Sequence, residues 1–122
     1  MSENVISIGK FAFIGCTSLT SITMPDNVIS IGDHAFFGCK SLISIEIPKS
    51  VTKIENDTFR DCISLKSIKI SDNITTIGNI AFNNCVSLTS VTYKGQTYTS
   101  KSSLEAALKA QGVTVDAGAF YK

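Results

Sequence analysis

Apolar residues recur along this chain with a fixed period of 23 residues. Phenylalanine, cysteine and leucine are among the residues that recur at the same position in every copy. These invariant columns are Phe13, Phe36, Phe59 and Phe82; Cys16, Cys39, Cys62 and Cys85; and Leu19, Leu42, Leu65 and Leu88. A fixed period of this length marks an array of similar structural units. The sequence therefore predicts four 23-residue repeats, at 5–27, 28–50, 51–73 and 74–96.

The end of each repeat alternates between apolar and polar residues. In the first repeat Ile22 and Met24 are apolar, whereas Ser21 and Thr23 are polar, which is the period-two pattern of a half-buried strand. The pattern predicts strands at 21–24, 44–47, 67–70 and 90–93. Pro25 follows the first of these segments and has no N–H to donate, so the strand ends there in a turn.

Each repeat also opens with an extended segment, at 5–8 in the first copy. Between the two extended segments lies A-F-x-x-C-x-S-L, which suits one turn of 3₁₀ or α type. A single repeat cannot bury its apolar side chains, whereas stacked repeats enclose them in one core. Strands of successive repeats then pair in parallel at about 4.8 Å. We predict a short β-rich solenoid that forms a single domain over residues 1–122.

The repeat pattern breaks after Tyr93, and the following sequence predicts a helix. Ser102 and Glu105 fit a capping box, an alanine-rich stretch follows, and Gly112 is a natural C-terminal stop. We expect a helix over 103–111. Its apolar side should cover the last repeat, as terminal caps do in repeat arrays.

Residues 113–120 resemble the opening of another repeat. Phe120 falls in the phenylalanine column after an insertion of fifteen residues. We therefore interpret 97–122 as a cap followed by a truncated fifth repeat. No comparable cap is expected at the N-terminal end, where only Met1 to Asn4 precede the first repeat.

Composition narrows the functional classes. Hydrophobic residues make up 43% of the 122 residues and charged residues 17%, which is enough for a real core. The formal net charge is +1, so a concentrated basic field and nucleic-acid binding are not expected. The sequence predicts neither a membrane span nor a signal peptide. The chain alone therefore does not indicate a location.

The repeated A-F-x-x-C-x-S-L-x-x-I-x-I-P, over residues 5–93, resembles the BspA-like, or treponemal-type, leucine-rich repeats. The resemblance implies a right-handed leucine-rich repeat solenoid whose S-I-x-I strands line one parallel sheet. Members of that family are commonly surface or secreted proteins of bacteria and some protists, associated with adhesion to host proteins or other cells. The resemblance therefore implies a cell-surface or secreted protein.

The four cysteines invite metal or disulfide interpretations. Their spacing is C-x₂₂-C throughout, without the closely spaced pairs of zinc sites. Stacking would bring neighbouring cysteines near each other, but their side chains would point the same way. We expect four buried, reduced thiols that fill the core between the phenylalanine and leucine columns. No metal and no cofactor is predicted.

No catalytic group is indicated by the remaining polar residues. His34 stands at a variable surface position, and Asp57 and Asp61 are interpreted as part of a solvated face. The sequons at Asn56 and Asn73 matter only in a eukaryotic secretory route. We therefore predict that the protein is not an enzyme.

Strand residues that face away from the core are the candidate partner-binding surface. This predicted sheet face consists of Ser21, Thr23, Ser44, Glu46, Ser67, Lys69, Ser90 and Thr92. It is rich in hydroxyl groups, and leucine-rich repeats resemble one another in using this face. The predicted function is protein–protein interaction or adhesion through it. Alternatively, the polar sheet face only keeps the protein soluble. The alternative function for the chain is a structural spacer or assembly subunit of a larger surface protein or particle.

A second candidate surface lies at the N-terminal end. The variable positions of the first two repeats are unusually apolar, and we name these side chains the N-terminal patch: Ile6, Phe11, Ile14, Ile29 and Phe37. An open end beside exposed apolar residues is an association hazard, so we hypothesise a homo-oligomer. Alternatively, preceding residues of a longer parent protein cover the patch, or its side chains fold over the first repeat as a minimal cap.

Overall fold

The computed structural model describes residues 4–116 and 118–120 as a stack of short coils with one helix. The strands and the helix are β1 (Ser7–Ile8), β2 (Ser30–Ile31), β3 (Ser44–Glu46), β4 (Lys53–Ile54), β5 (Ser67–Lys69), β6 (Thr76–Ile77), β7 (Ser90–Tyr93), β8 (Gln96–Tyr98), α1 (Lys101–Ala110) and β9 (Thr114–Val115). Strands of neighbouring coils pair in parallel. The predicted β-rich solenoid with one C-terminal helix is confirmed.

The strands near the end of each repeat form a sheet in the order β3-β5-β7-β8. Ser67 pairs with Ser44 on one side and with Ser90 on the other, so equivalent residues of successive coils lie side by side. Ile45 and Ile68, which alternate with these serines, are buried. The predicted alternation thus separates a core face from a solvent face.

The first repeat departs from this prediction, because residues 21–24 do not form a strand. Just before this segment the Ile43 N–H donates to the Thr20 carbonyl at 3.0 Å, but among the described residues no backbone hydrogen bond joins 21–24 itself to β3. Ile22 is only half-buried, unlike its counterpart Ile45. The described residues place a neighbouring coil on one side of this segment only.

The strands that open the repeats form a second column, which is interrupted between the second and third coils. β1 pairs with β2, and β4 and β9 flank β6, but β2 and β4 share no ladder. Gly32 and Gly78 follow the strands of the second and fourth coils, and a Cβ on Gly78 would lie 2.7 Å from the Asn56 nitrogen. The third coil has Glu55 at this position. Its Cβ prevents the same close approach, so the ladder breaks there.

The turn that carries the phenylalanine and the cysteine of each repeat is not a regular helix. The Cys16 N–H donates to the Phe13 carbonyl, a 3₁₀-type bond, whereas the Phe13 N–H donates to Ala35 of the next coil at 2.7 Å. Phe11 and Gly15 have positive φ, which redirects alternate N–H groups towards the neighbouring coil. The turn thus contributes to stacking through its backbone.

Five phenylalanine rings form a continuous ladder through the core. Adjacent centroids are 5.1 to 5.4 Å apart and the rings are parallel within 7°, in the order Phe13, Phe36, Phe59, Phe82 and Phe120. Phe36 and Phe59 are fully buried, and Phe82 and Phe120 are buried, whereas Phe13 is half-buried. Within the described residues the ladder is therefore least enclosed at the first coil.

The C-terminal helix covers the last coil with Leu104 and Leu108, which are buried. The expected cap at Ser102 is wrong: the Ser103 N–H donates to the Ser100 Oγ at 3.3 Å, so Ser100 is the N-cap and α1 begins at Lys101. At the other end the predicted stop at Gly112 is confirmed. Its N–H donates to Lys109 and the next N–H donates to Leu108, the bonds of a Schellman motif.

Two elements around α1 complete this end of the solenoid. β8 returns antiparallel along β7 through a two-residue turn, in which Lys94 and Gly95 both have positive φ, the geometry of a type I′ hairpin. β9 then pairs in parallel with β6, with Val115 beside Ile77. The column therefore continues into a fifth coil as far as Phe120.

Candidate functional site

The outer face of the sheet contains the predicted partner-binding residues. The described strands place Ser44, Ser67 and Ser90 in one row and Glu46, Lys69 and Thr92 in the next. All six side chains are exposed or half-buried. The remaining two predicted residues, Ser21 and Thr23, are exposed beside β3 but lie outside the ladder. The structure thus brings three of the four predicted strands into register.

One ion pair crosses the sheet face. The Lys69 Nζ is 3.1 Å from the Glu46 Oε1, and both side chains are more than half exposed. An exposed pair of this kind contributes a few tenths of a kcal/mol at most. The two charges of the pair cancel, so the centre of the sheet face carries no net charge.

The sheet face is wider than the sequence analysis predicted. Thr97 of β8 lies opposite Thr92, with their hydroxyl oxygens 3.3 Å apart. The sequence analysis did not predict a strand added to the sheet here. The available signal was Lys94-Gly95 between two alternating segments, which is typical of a two-residue hairpin. Thr97 therefore belongs with the eight predicted residues.

The sheet face is the floor of a shallow depression of about 320 Å³. Residues from the first coil, β3, β5 and β7 line it. A second depression of about 450 Å³ adjoins it over the turns that follow the strands, where Asp26, Lys49 and Asp72 lie. Open depressions of this kind suit the surface of a macromolecule better than an enclosed small molecule.

The N-terminal patch is mostly exposed. Ile6, Phe11, Ile14 and Ile29 are 58%, 51%, 47% and 59% exposed. Phe37 is less exposed than these four side chains. It is half-buried, because its ring lies 5.6 Å from the His34 ring and beneath the Arg60 guanidinium at 5.5 Å. Four of the five predicted residues therefore form the accessible part of the patch.

A charged cluster lies behind Phe37. The His34 Nε2 is 3.0 Å from the Asp57 Oδ2, and the Arg60 guanidinium is 3.5 Å from the Asp57 Oδ1. The Asp57 side chain is 13% exposed, so the prediction that it is part of a solvated face is wrong. Phe11 stacks on the His34 ring at 4.9 Å. The cluster joins the first three coils by ion pairs and stacked rings.

The cysteine column is a row of thiols that donate to the backbone. The Sγ atoms of Cys39, Cys62 and Cys85 each donate to the phenylalanine carbonyl of the preceding coil, at 3.0 to 3.1 Å. Burial raises the pKa of the Cys39 thiol to about 11 and that of Cys85 to about 12, and it raises the pKa of Cys62 as well. These three thiols are free and buried, as predicted, and each also satisfies a carbonyl.

Cys16 differs from the rest of its column. It is free but half-buried, so the prediction of four buried thiols is wrong for this residue. Its counterparts are enclosed by coils on both sides, whereas the described residues place a coil on one side of Cys16 only. The first coil is therefore the site of the accessible thiol.

The described residues contain no group of three or more histidine, cysteine or acidic side chains placed to hold a metal ion. Within the same residues no helix has the length and hydropathy needed to cross a membrane.

Comparison with known proteins identifies the family. The model of the BspA-type leucine-rich repeat region (6 copies) matches residues 1–107. This chain belongs to the BspA-type leucine-rich repeat family. The match extends beyond the predicted range of 5–93, through the hairpin and into α1. Membership indicates a protein-interaction or surface role. No curated protein sequence matches the chain.

Solved structures of bacterial leucine-rich repeat proteins are similar over most of the chain. The Treponema pallidum leucine-rich repeat protein superposes with a TM-score of 0.79 at 24% identity, covering 99% of this chain and 60% of that one. This similarity shows the fold. A leucine-rich cell surface protein of Faecalibacterium prausnitzii has a TM-score of 0.65 at 32% identity, covering 97% of this chain and 35% of that one.

A leucine-rich repeat protein of Bacteroides ovatus has a TM-score of 0.55 at 37% identity, covering 72% of this chain and 29% of that one. The chain thus spans less than two thirds of the length of each of these proteins.

Proposed function

We propose that this domain is a non-enzymatic recognition module that binds a protein partner through its sheet face. The observation that carries the proposal is the ordered outer surface of β3, β5 and β7. There, serine and threonine side chains flank one neutral ion pair above an open depression. Such a surface offers many hydrogen-bonding groups.

The composition of the sheet face keeps the entropic cost of binding low. Serine and threonine lose little conformational entropy when a partner covers them, whereas long charged side chains lose more. The Glu46–Lys69 pair is formed across the strands, so a partner would meet a neutral pair instead of two separate charges. The adjoining depression adds charges of both signs, from Asp26, Lys49 and Asp72. These charges supply a basis for specificity at the edge of the surface.

The site of action that we propose is the cell surface. The F. prausnitzii relative is described as a cell surface protein, and family membership is consistent with that location. Adhesion to host or microbial surface proteins is then the process in which a module of this kind would act.

The experiment compares two double-arginine variants in binding assays. The immobilised wild-type chain captures proteins from solubilised epithelial and bacterial surfaces, and each captured protein is purified and titrated against every variant. Ser44→Arg with Ser67→Arg places two long cations at the centre of the sheet face. We expect this variant to lower the affinity for the partner at least tenfold.

The matched control changes the other strand column. Ser30→Arg with Thr76→Arg alters one exposed and one half-buried strand residue, as the test variant does, and should leave the affinity unchanged. Equal losses in both variants, or binding that survives in both, would contradict the proposal. Binding that tolerates every sheet-face change would favour a spacer or assembly subunit instead.

A further inference from the structure

Exposed apolar side chains lie beside the sheet face, on the flank that precedes its strands. Among the described residues outside the N-terminal patch, the exposed large apolar side chains are Ile43 at 45%, Ile63 at 38% and Val86 at 54%. Ile43 directly precedes β3, and Ile63 and Val86 lie in the turns before β5 and β7. The second and third coils have a neighbouring coil on both sides, so the exposure of Ile43 and Ile63 does not depend on an end of the stack.

The fold does not require apolar residues at these positions. The column of Ile43 also contains two threonines, Thr20 and Thr89. The column that Ile63 shares with Val86 begins with Thr17. Polar residues therefore fit the same backbone positions, and the exposed apolar side chains need another explanation.

Two lysines are interleaved with these apolar side chains. Lys66 follows Ile43 in one column, and Lys40 precedes Ile63 in the other. Equivalent residues of adjacent coils lie side by side, so each lysine has an aliphatic neighbour. Both lysines are exposed, and neither has an ion-pair partner among the described residues. We name this group of five side chains the lysine flank: Lys40, Ile43, Ile63, Lys66 and Val86.

Acidic residues are missing from the segments that form this flank, which are 16–21, 39–44, 62–67 and 85–90. Asp61 precedes the third segment, but its carboxylate already accepts from the Asn84 side-chain amide at 3.1 Å. On the sheet face, Glu46 is paired with Lys69. The lysine flank therefore presents two positive charges that no acidic side chain of the described residues neutralises.

The turns on the other side of the sheet face have the opposite charge balance. Asp26 and Asp72 lie there with Lys49, so two negative charges accompany one positive charge. An acidic segment of a partner would be attracted to the lysine flank and repelled from these turns. The charges thus favour one orientation of a partner across the sheet face.

The backbone beneath the lysine flank is held in place by bonds between coils. The Lys66 N–H donates to the Ile43 carbonyl at 2.8 Å, and the Ser87 Oγ donates to the Ile63 carbonyl at 2.7 Å. A partner would meet side chains that project from an ordered backbone. This order lowers the entropy that binding must cost.

The mixture of groups on the flank favours a protein segment in which acidic and apolar residues are interspersed. A purely acidic ligand would leave the apolar side chains exposed, and a purely apolar ligand would bury both ammonium groups without a counter-charge. An anionic membrane fits less well, because lipid-binding segments cluster about four to eight basic residues. The lysine flank has only Lys40 and Lys66.

We propose that the partner bound at the sheet face presents an acidic and apolar segment to the lysine flank. The inference rests on the proposed function and adds the chemistry of the partner. Two probes test it. One is the captured partner protein, titrated at several salt concentrations, and the other is a library of random short peptides panned against the immobilised chain.

The lysine variant combines Lys40→Thr with Lys66→Thr. Threonine occurs in both columns, as Thr17 and Thr20, so the coil conformation is retained. We expect the affinity for the partner to fall about fivefold, as for the loss of two exposed ion pairs. The remaining affinity should depend less on salt concentration than that of the wild-type chain. Peptides enriched on the wild-type chain should combine acidic and apolar residues and should not be enriched on this variant.

The apolar variant combines Ile43→Thr with Ile63→Thr, which again uses residues of the same columns. It should lower the affinity by a similar factor but keep the salt dependence of the wild-type chain, because both lysines remain. The different salt response separates the two contributions.

The matched control combines Lys10→Asn with Lys53→Thr. It removes two exposed lysines outside the sheet face and its flank, and uses residues that their own columns contain at Asn56 and Thr76. The net charge changes as in the lysine variant, and the affinity should stay unchanged. Equal losses in this control and in the lysine variant would show a general effect of charge and overturn the proposal.

The other outcomes are equally decisive. Enrichment of basic or uncharged peptides, or no enrichment, would overturn the acidic segment. Lysine-dependent binding to vesicles of phosphatidylserine and phosphatidylcholine, without peptide binding, would assign the flank to a membrane instead. A partner that is lost with arginine at positions 44 and 67 but retained by the lysine variant would overturn this inference and leave the sheet-face proposal standing. Indifference to the arginine changes would remove both.

Discussion

Gly78 lies so close to Asn56 of the preceding coil that a Cβ at position 78 would be 2.7 Å from the Asn56 backbone nitrogen. The Gly78 N–H donates to the Ile54 carbonyl at 2.7 Å, which holds the two backbones together. Glycine is needed here for coil spacing, because any side chain would push the fourth coil away from the third.

Gly78→Ala should therefore destabilise the chain. The added methyl group must displace backbone atoms, and overpacking of this kind costs about 1 to 3 kcal/mol. Gly9→Ala is the control, since a Cβ at that position would meet no atom within 4 Å. Urea unfolding measures both. Equal midpoints for the two variants would show that the spacing is not controlled by this contact.

Phe36→Ala should be among the most damaging single changes. Its ring is fully buried between Phe13 and Phe59, at centroid distances of 5.2 and 5.4 Å. Truncation of a core phenylalanine costs about 3 to 5 kcal/mol, a large share of the stability of a small domain. Phe11→Ala, at an exposed ring, should cost far less. A small effect of Phe36→Ala on the unfolding free energy would mean that the ladder is not the core.

Ile80→Asn should stabilise the chain. Ile80 has φ of 51°, and a β-branched residue in this left-handed region is strained by roughly 1 to 2 kcal/mol. Asparagine tolerates this conformation, so we expect a gain of about 1 kcal/mol. Ile63→Asn, at an exposed residue outside the left-handed region, should produce no comparable gain. Thermal unfolding of the two variants provides the comparison, and a loss of stability in the first would contradict the argument.

Ser100→Ala should weaken α1 whereas Ser102→Ala should not. Only Ser100 accepts from the Ser103 N–H, and loss of such a cap costs about 0.5 to 2 kcal/mol. Hydrogen exchange within α1 reports the local effect. If the two variants exchanged alike, the assignment of the cap to Ser100 would be wrong.

The buried thiols should make stability fall at high pH. Burial raises the pKa of Cys39 to about 11 and that of Cys85 to about 12, from a usual value of 9.0. Below pH 9 the thiols keep their protons in both the folded and the unfolded chain, so their burial leaves the unfolding free energy independent of pH. Above pH 9 only the unfolded thiols ionise, so the unfolding free energy should fall as the pH rises through 11 to 12.

Urea titrations over this pH range test the prediction. Cys85→Ala removes one of the three buried thiols whose pKa is raised, so the fall with pH should be shallower in that variant. Parallel curves for the variant and the wild-type chain would exclude a contribution from this thiol.

The sequence by itself determined the repeat, the core columns and the outer rows. Those features follow from periodicity. Phe59 and its equivalents recur every 23 residues, and the alternating polar and apolar positions represented by Ser67, Ile68 and Lys69 recur with the same period. Each coil repeats the same pattern of apolar and polar residues, so the spacing along the sequence is enough to predict which side chains face inward and which form the candidate site.

Only the tertiary structure decided how each coil meets its neighbours. The missing ladder at Glu55, the half-buried Cys16 and the pairing of Thr97 with Thr92 depend on distances between backbones that are far apart in sequence. The burial of Asp57 likewise depends on His34 in the preceding coil. Local propensity carries no information about such contacts, because the presence and the closeness of an adjacent coil determine them.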